Sequence, residues 1–422
     1  MKAMLTNKKA GMWLSLASVC VLIIGWAACT PSNQTKDEST DSKEPATQVQ
    51  MPAPNENGII TAEAWKDIYP DEYATYMENN DNTDPGDYTE IYPQIKTIWA
   101  GSAFSKYYNE PNGHTYALKD ISETGRNPKT ANCLTCKSSE FILKQDADPT
   151  LNTSDIHEME AQVSEPISCY DCHENTPKDG TVAIRQFFVN AVGDDASQLP
   201  EGAMSCGQCH NEYFFPGENK AAENPWSGLA EATPEKVLAI ENGLTGGKRY
   251  VDHTNPDNGT EQIKVQHPEF ETVYGGEGSP MAKQGYSCSD CHMADAKSES
   301  GTEYKSHNWT SPLENEELIA NDCSKCHKDI KAEVKANQTK AIDRVNSIGD
   351  KLVDLNNKLA AAVADGSKSD DELNALRELN RTSQFYWDWV MVENSDGAHN
   401  SALAQDTLDK SEAAVDEALA QL

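Results

Sequence analysis

Five Cys-x-x-Cys pairs, spread from Cys133 to Cys326, constrain this chain more than any other feature. Four are followed directly by His: Cys169–Cys172 with His173, Cys206–Cys209 with His210, Cys288–Cys291 with His292, and Cys323–Cys326 with His327. The first, Cys133–Cys136, is followed by Lys137. Cys-x-x-Cys-His is the attachment signature of c-type haem: the two thiols form thioethers with the haem vinyls, and the adjacent His reaches the iron. Tandem Cys-x-x-Cys pairs also serve zinc ribbons and dithiol redox sites. The chain has only 10 His in 422 residues. A His would follow a given Cys by chance about one time in forty, so four coincidences at a spacing with this meaning are on the order of one in a million. The sequence therefore reads as five covalent haems c. An amine ligand at one haem, among several His-ligated haems, marks one iron for chemistry and leaves the rest to carry electrons.

The other two of the 12 Cys, Cys20 and Cys29, lie near the N-terminus, so the body keeps no cysteine for a structural disulfide. Lys2, Lys8 and Lys9 precede an apolar run from Leu14 to Ala28, too short for a comfortable membrane span and suited to an export signal. Ala27-Ala28-Cys29 resembles a lipoprotein cleavage box, although Trp26 stands where an aliphatic residue is usual. Residues 1–29 are thus expected to be a signal peptide, with Cys29 the lipidated residue and the membrane contact. Residues 30–58 are poor in apolar side chains and read as a disordered tether. Export fits haem c attachment and places the protein on the periplasmic side of a bacterial membrane.

The body is long enough for one large or two modest domains. Its low apolar fraction makes sense if five macrocycles supply part of the core. The net charge of −33 excludes a nucleic-acid partner, which needs a basic face. Strand signals are scarce, and no repeat extends beyond the haem motifs. Thr233-Pro234-Glu235 and Ser311-Pro312 are helix starts. The fold class is mainly α: a loop-rich multihaem body over 59–329, then long helices over 330–422. Val345, Ile348, Leu352, Leu355 and Leu359 share one helix face, Gly366 stops that helix, and Ser369 with Glu372 forms a capping box for the next. A last helix is expected over roughly 402–422.

One Cys-x-x-Cys-Lys followed by four Cys-x-x-Cys-His, in this order, resembles the ammonia-forming pentahaem cytochrome c nitrite reductase family. Trp99-Ala100-Gly101, Tyr108-Asn109-Glu110-Pro111, Gly113-His114, the run Cys206 to Tyr213, and Lys264-Val265-Gln266-His267-Pro268-Glu269 resemble further segments of that family. The resemblance implies that Lys137 ligates the active-site iron, and that Arg126, Tyr213 and His267 line its open face. It implies that Glu212, Tyr213, Lys264 and Gln266 hold calcium, with Tyr213 and Lys264 contributing carbonyls. It makes His114 the second axial ligand of the third haem, His307 that of the second, and His399 that of the fourth. At the fifth haem the family pattern asks for His seven residues before Cys288, where this chain has Met281. Met281 is accordingly the expected ligand there, which would raise that potential relative to a His/His pair. His157 and His253 match no segment and read as surface or structural residues.

The implied reaction is six-electron reduction of nitrite to ammonium. Arg126 would hold a nitrite oxygen, and His267 would donate a hydrogen bond and supply protons near neutral pH. A membrane quinol-oxidising cytochrome is the implied electron donor, and the C-terminal helices are the expected surface of a homodimer. The rival reading is a multihaem electron carrier with every iron six-coordinate. Hydroxylamine, nitric oxide and sulfite are rival substrates for the same pocket.

Overall fold

The structure is a computed structural model describing residues 50–81, 86–109 and 113–422. The export leader, Cys20, Cys29 and most of the expected tether lie outside the described residues. Among the described residues, no helix is long and apolar enough to cross a membrane.

From residue 50 to about 329 the chain runs through short α- and 3-10 helices joined by loops. Two small antiparallel ribbons interrupt them. His253–Thr254 pairs with Glu261–Gln262, His253 lying opposite Gln262. Asp295–Lys297 pairs with Glu303–Lys305, Asp295 lying opposite Lys305. Helix starts follow local chemistry. Thr233 accepts from the Lys236 amide ahead of the Pro234–Glu241 helix, and Ser311 accepts from the Leu313 amide ahead of the Pro312–Glu314 turn.

Three long helices then follow: Ile330–Asp365, Asp370–Met391 and Ser401–Ala420. Val345, Ile348, Leu352, Leu355 and Leu359 are all buried, as their spacing requires. Gly366 ends the first helix at φ 66°, a left-handed turn that glycine adopts without a Cβ clash. Ser369 and Glu372 cap the second helix reciprocally. The fold is mainly α, as the sequence indicated.

The long helices and the haem-bearing region share one hydrophobic core. Ile95, Ile98 and Trp99 meet Phe188, Trp226 and Phe270 from the middle of the chain, and Leu352, Trp387 and Leu408 from the helices. Each such side chain contributes about 1.5–3 kcal/mol on burial. Polar contacts fix the register. Asn258 donates to Asn356 at 2.7 Å, and Asn380 donates to Thr260 at 2.9 Å. Arg381 donates to the Tyr250 and Glu261 carbonyls.

Residues 55–57, assigned to the tether by composition, are fastened down. The Asn55 and Asn57 side chains each donate to Glu140 at 2.8 Å, and Ile59 and Ile60 are buried just behind them. Glu140 also accepts from the Ser164 and Glu165 amides. It lies on the Ser139–Ala147 helix, which starts two residues after Lys137.

Candidate haem and substrate site

Each Cys-x-x-Cys pair occupies or adjoins one tight helical turn. Cys169–His173 and Cys288–His292 are short α-helices, Cys206 lies on Ala203–Gly207, and the first and last pairs lie on 3-10 turns. A turn brings residues i and i+3 to one face, so both sulfurs can meet one macrocycle. Ser168 and Ser287 precede the second and fourth pairs. Their amides donate to Asp171 and Asp290, inside those pairs, at 2.9 and 2.7 Å.

Neighbouring motifs touch. The Cys136 and Cys209 thiols lie side by side, as do those of Cys206 and Cys288. Cys172 lies near Cys209, and Cys291 near Cys323. The spatial order is first, third, fourth, fifth, with the second beside the third. A buried polar knot sets the first three. Arg185 donates to Asp171 at 2.6 Å and to the Thr135 carbonyl, within the first pair, at 3.1 Å. Gln208, within the third pair, donates to the Asp171 carbonyl and accepts from the Ile184 and Arg185 amides.

The distant histidines stand opposite the motif histidines. Ring centres are 6.4 Å apart for His173 and His307, 6.4 Å for His114 and His210, and 6.0 Å for His292 and His399. One metal between two imidazoles, at about 2.0–2.1 Å from each nitrogen, sets the ring centres roughly 6 Å apart. The residues present therefore fit haem c. The ring nitrogens facing away differ in their partners. His173, His307 and His292 donate to the carbonyls of Gly180, Lys305 and Thr310. His327 meets Glu333 at 2.7 Å, and His399 meets Glu393 at 2.5 Å. His114 has no partner for this nitrogen. Trp309 stands 4.3 Å from the His114 ring and 5.6 Å from that of His307, at φ 51°, a strained value for a bulky residue.

The expected pocket residues gather at the first motif. Burial pushes the Cys133 thiol up, while the nearby Arg126, Lys137 and Lys220 charges pull against it. Arg126 donates to Asn109 at 3.0 Å and Thr124 at 3.3 Å, and lies over the Phe104 and Tyr108 rings. Tyr213 lies near Cys133 and Cys136, and burial pushes its phenol well up. His267 lies near Lys137 and 6.4 Å from the His210 ring. Burial holds its imidazole down at about 4. Desolvation disfavours the charged imidazolium.

Beside this pocket, Glu212 is fully buried. One of its oxygens accepts from the Gln266 amide at 2.6 Å, and the other, Oε1, has no partner. The Glu212 amide donates to Glu271 at 3.0 Å. Asp252 holds the Lys264 amide at 2.8 Å, and the Lys264 carbonyl accepts from Gln266 Nε2 at 3.2 Å. The Lys264 ammonium turns to Asp388 at 3.3 Å and over the Tyr108 ring. Among the described residues there is no cluster of three His, Cys, Asp or Glu side chains. Carbonyl and amide oxygens around one carboxylate still form a hard donor set, and the orphaned Glu212 oxygen fits a cation.

Met281 precedes the Ala282–Gln284 turn and is 37% exposed. His253 donates to the Ala100 carbonyl at 2.8 Å, a structural role, and His157 lies at the surface beside Glu160. Reading the sequence missed Arg185, Trp309, Glu333 and Glu393, and gave Asn109 no role beyond its place in a resembling segment. Only the repeated Ser-Cys-x-Asp-Cys-His pattern at Ser168 and Ser287 offered a signal for the local capping.

Comparison with known proteins adds three findings. The family model for cytochrome c552 matches residues 61–422. The chain is 31% identical to the cytochrome c nitrite reductase subunit NrfA of Nitratidesulfovibrio vulgaris Hildenborough, over 97% of this chain and 85% of that protein. The solved cytochrome c nitrite reductase of Desulfovibrio desulfuricans, described for its two calcium sites, superposes with a TM-score of 0.73 at 26% identity, covering 86% of this chain and 85% of that one.

Proposed function

This chain belongs to the cytochrome c552 family, among the cytochrome c nitrite reductases, and we propose that it reduces nitrite to ammonium at the site marked by Lys137. The observation that carries this reading is the convergence of Arg126, Tyr213 and His267 on the single motif that lacks His. A pure electron carrier has no use for such a pocket.

In this reading five haems c bind through the five Cys pairs. His173, His210, His292 and His327 would hold the irons of the second to fifth haems from the motif side, and His307, His114 and His399 would complete the second, third and fourth. The facing rings support these last three assignments. Met281 is the proposed far-side ligand of the fifth. Bound haem would supply the electrons and, beside Lys137, a place for nitrite to bind.

The chain's own residues do the rest. Arg126, fixed by Asn109 and Thr124, keeps a permanent cation aimed at a nitrite oxygen. This offsets the strongly acidic surroundings for an anionic substrate. His267 offers an N–H from a neutral ring, and Tyr213 offers a phenol held protonated. Glu212, Gln266 and the carbonyls of Tyr213 and Lys264 would hold calcium, fixing the chain on both sides of the pocket. The protein is proposed to be exported, lipidated at Cys29, dimeric through its C-terminal helices, and fed by a membrane quinol-oxidising cytochrome.

The test is direct. The dye-reduced holoprotein is given nitrite, and ammonium is measured against nitric oxide. Ammonium at a ratio of one per nitrite is expected, and its absence ends this reading.

A further inference from the structure

The far-side ring His399 differs from the others in what holds its outer nitrogen. That nitrogen meets Glu393 Oε1 at 2.5 Å, and the Glu393 side chain is only 3% exposed. The other carboxylate oxygen accepts from the Ser395 hydroxyl at 2.5 Å, and Ser395 in turn accepts the His399 amide at 2.9 Å. The loop between the second and third long helices therefore forms a closed ring of hydrogen bonds around this one imidazole. Elsewhere the outer nitrogens of the paired rings meet neutral carbonyls or nothing within hydrogen-bond reach, the buried Glu269 carboxylate standing 3.8 Å from His210 Nδ1, well beyond the 2.5 Å of the Glu393 contact. The similar His327–Glu333 pair is wet, with Glu333 48% exposed.

We propose that Glu393 holds the reduction potential of the fourth haem low by acting through His399. A buried carboxylate accepting the imidazole N–H makes the ring a stronger donor and places a negative charge close to the iron. Both effects favour the ferric over the ferrous state, and low dielectric keeps them strong. The exposed Glu333 charge is screened by water and acts less on the fifth haem. Glu393 is a positioning residue, since it touches neither substrate nor iron. The proposal rests on His292 and His399 ligating one iron.

The experiment is a spectroscopic redox titration of the full holoprotein and two variants. Glu393→Gln keeps an acceptor of the same shape and removes the charge. It should raise one haem's midpoint so that its ferrous-to-ferric ratio at fixed potential increases about tenfold, equal to about 59 mV for one electron. The low-spin signal of a bis-imidazole haem should remain. Ser395→Ala removes a donor from the carboxylate and leaves His399 more of its charge, so the same midpoint should move down. Retained low-spin signals with an unmoved midpoint in Glu393→Gln overturn the proposal alone. If Glu393→Gln does not assemble, Ser395→Ala decides, and no downward shift overturns the proposal. If His399→Ala leaves every low-spin signal intact, the ligand reading falls and the proposal falls with it.

Discussion

Arg185 donates to Asp171 at 2.6 Å where neither side chain meets water, their exposures being 0% and 2%. The same guanidinium holds a carbonyl inside the first Cys pair, so one buried cation spans two cofactor sites. Arg185→Met should destabilise the protein by about 3–5 kcal/mol, because it leaves Asp171 buried without a partner. Pairing it with Asp171→Asn should recover part of that loss. Denaturant midpoints of the single and double variants, with haem content per chain, check this.

Glu140 carries the second prediction. Burial pushes its carboxyl up, but the Glu165 and Ser164 amides and the Asn57 and Asn55 side chains outweigh burial and hold it below the usual range. A depressed folded value means that its stabilisation is present above the unfolded value and is lost as pH falls through the folded one. The 55–57 arm should thus loosen in acid. Glu140→Gln should loosen it already at pH 7. Limited proteolysis at the arm, across a pH series, reads both.

Arg126→Gln and His267→Asn probe the pocket. Each should lower nitrite turnover by about 10²–10³-fold, the usual cost of losing one donor aimed at developing charge. Haem content should not change, because neither residue is proposed to ligate iron. The Arg126 change should also raise the KM for nitrite, since a cation that meets the anion in the ground state has gone. Steady-state kinetics on purified holoprotein decide.

Glu212→Gln tests the cation site. It keeps the contact to the Gln266 amide through its carbonyl and removes the charge that a hard cation needs. Bound calcium, measured by elemental analysis, should fall from one per chain towards none. Calcium at 100 times its Kd should stabilise the parent by about 2.7 kcal/mol and the variant hardly at all.

The legible parts of this molecule are those written locally. Cys-x-x-Cys-His declares a cofactor within five residues, and the apolar spacing from Val345 to Leu359 declares a buried helix face. Ser369 and Glu372 fix a helix start within one turn. Arg185 was illegible because its partners, Asp171 and Thr135, sit 14 and 50 positions away with no periodicity between them. Glu393 reads as one more acid in a chain with 68 of them, and only its burial against His399 sets it apart. His267 lies near Lys137, yet the lowering of its imidazole comes from burial in the folded pocket and not from its neighbours in sequence. Residues 55–57 look like the polar segment before them, and only the Glu140 carboxylate distinguishes them.

The facing imidazoles come from chain segments far apart, with His114 opposite His210, His173 opposite His307, and His292 opposite His399. A link across roughly a hundred residues removes about 4.7 kcal/mol of chain entropy from an unfolded polypeptide when the link is covalent. In the proposed ligation one half of each link would be a permanent thioether and the other half a coordination bond that acid or a competing ligand can break. Each such haem would then be a latch as well as a wire: released at its far side, it lets a large loop go while staying attached to the chain.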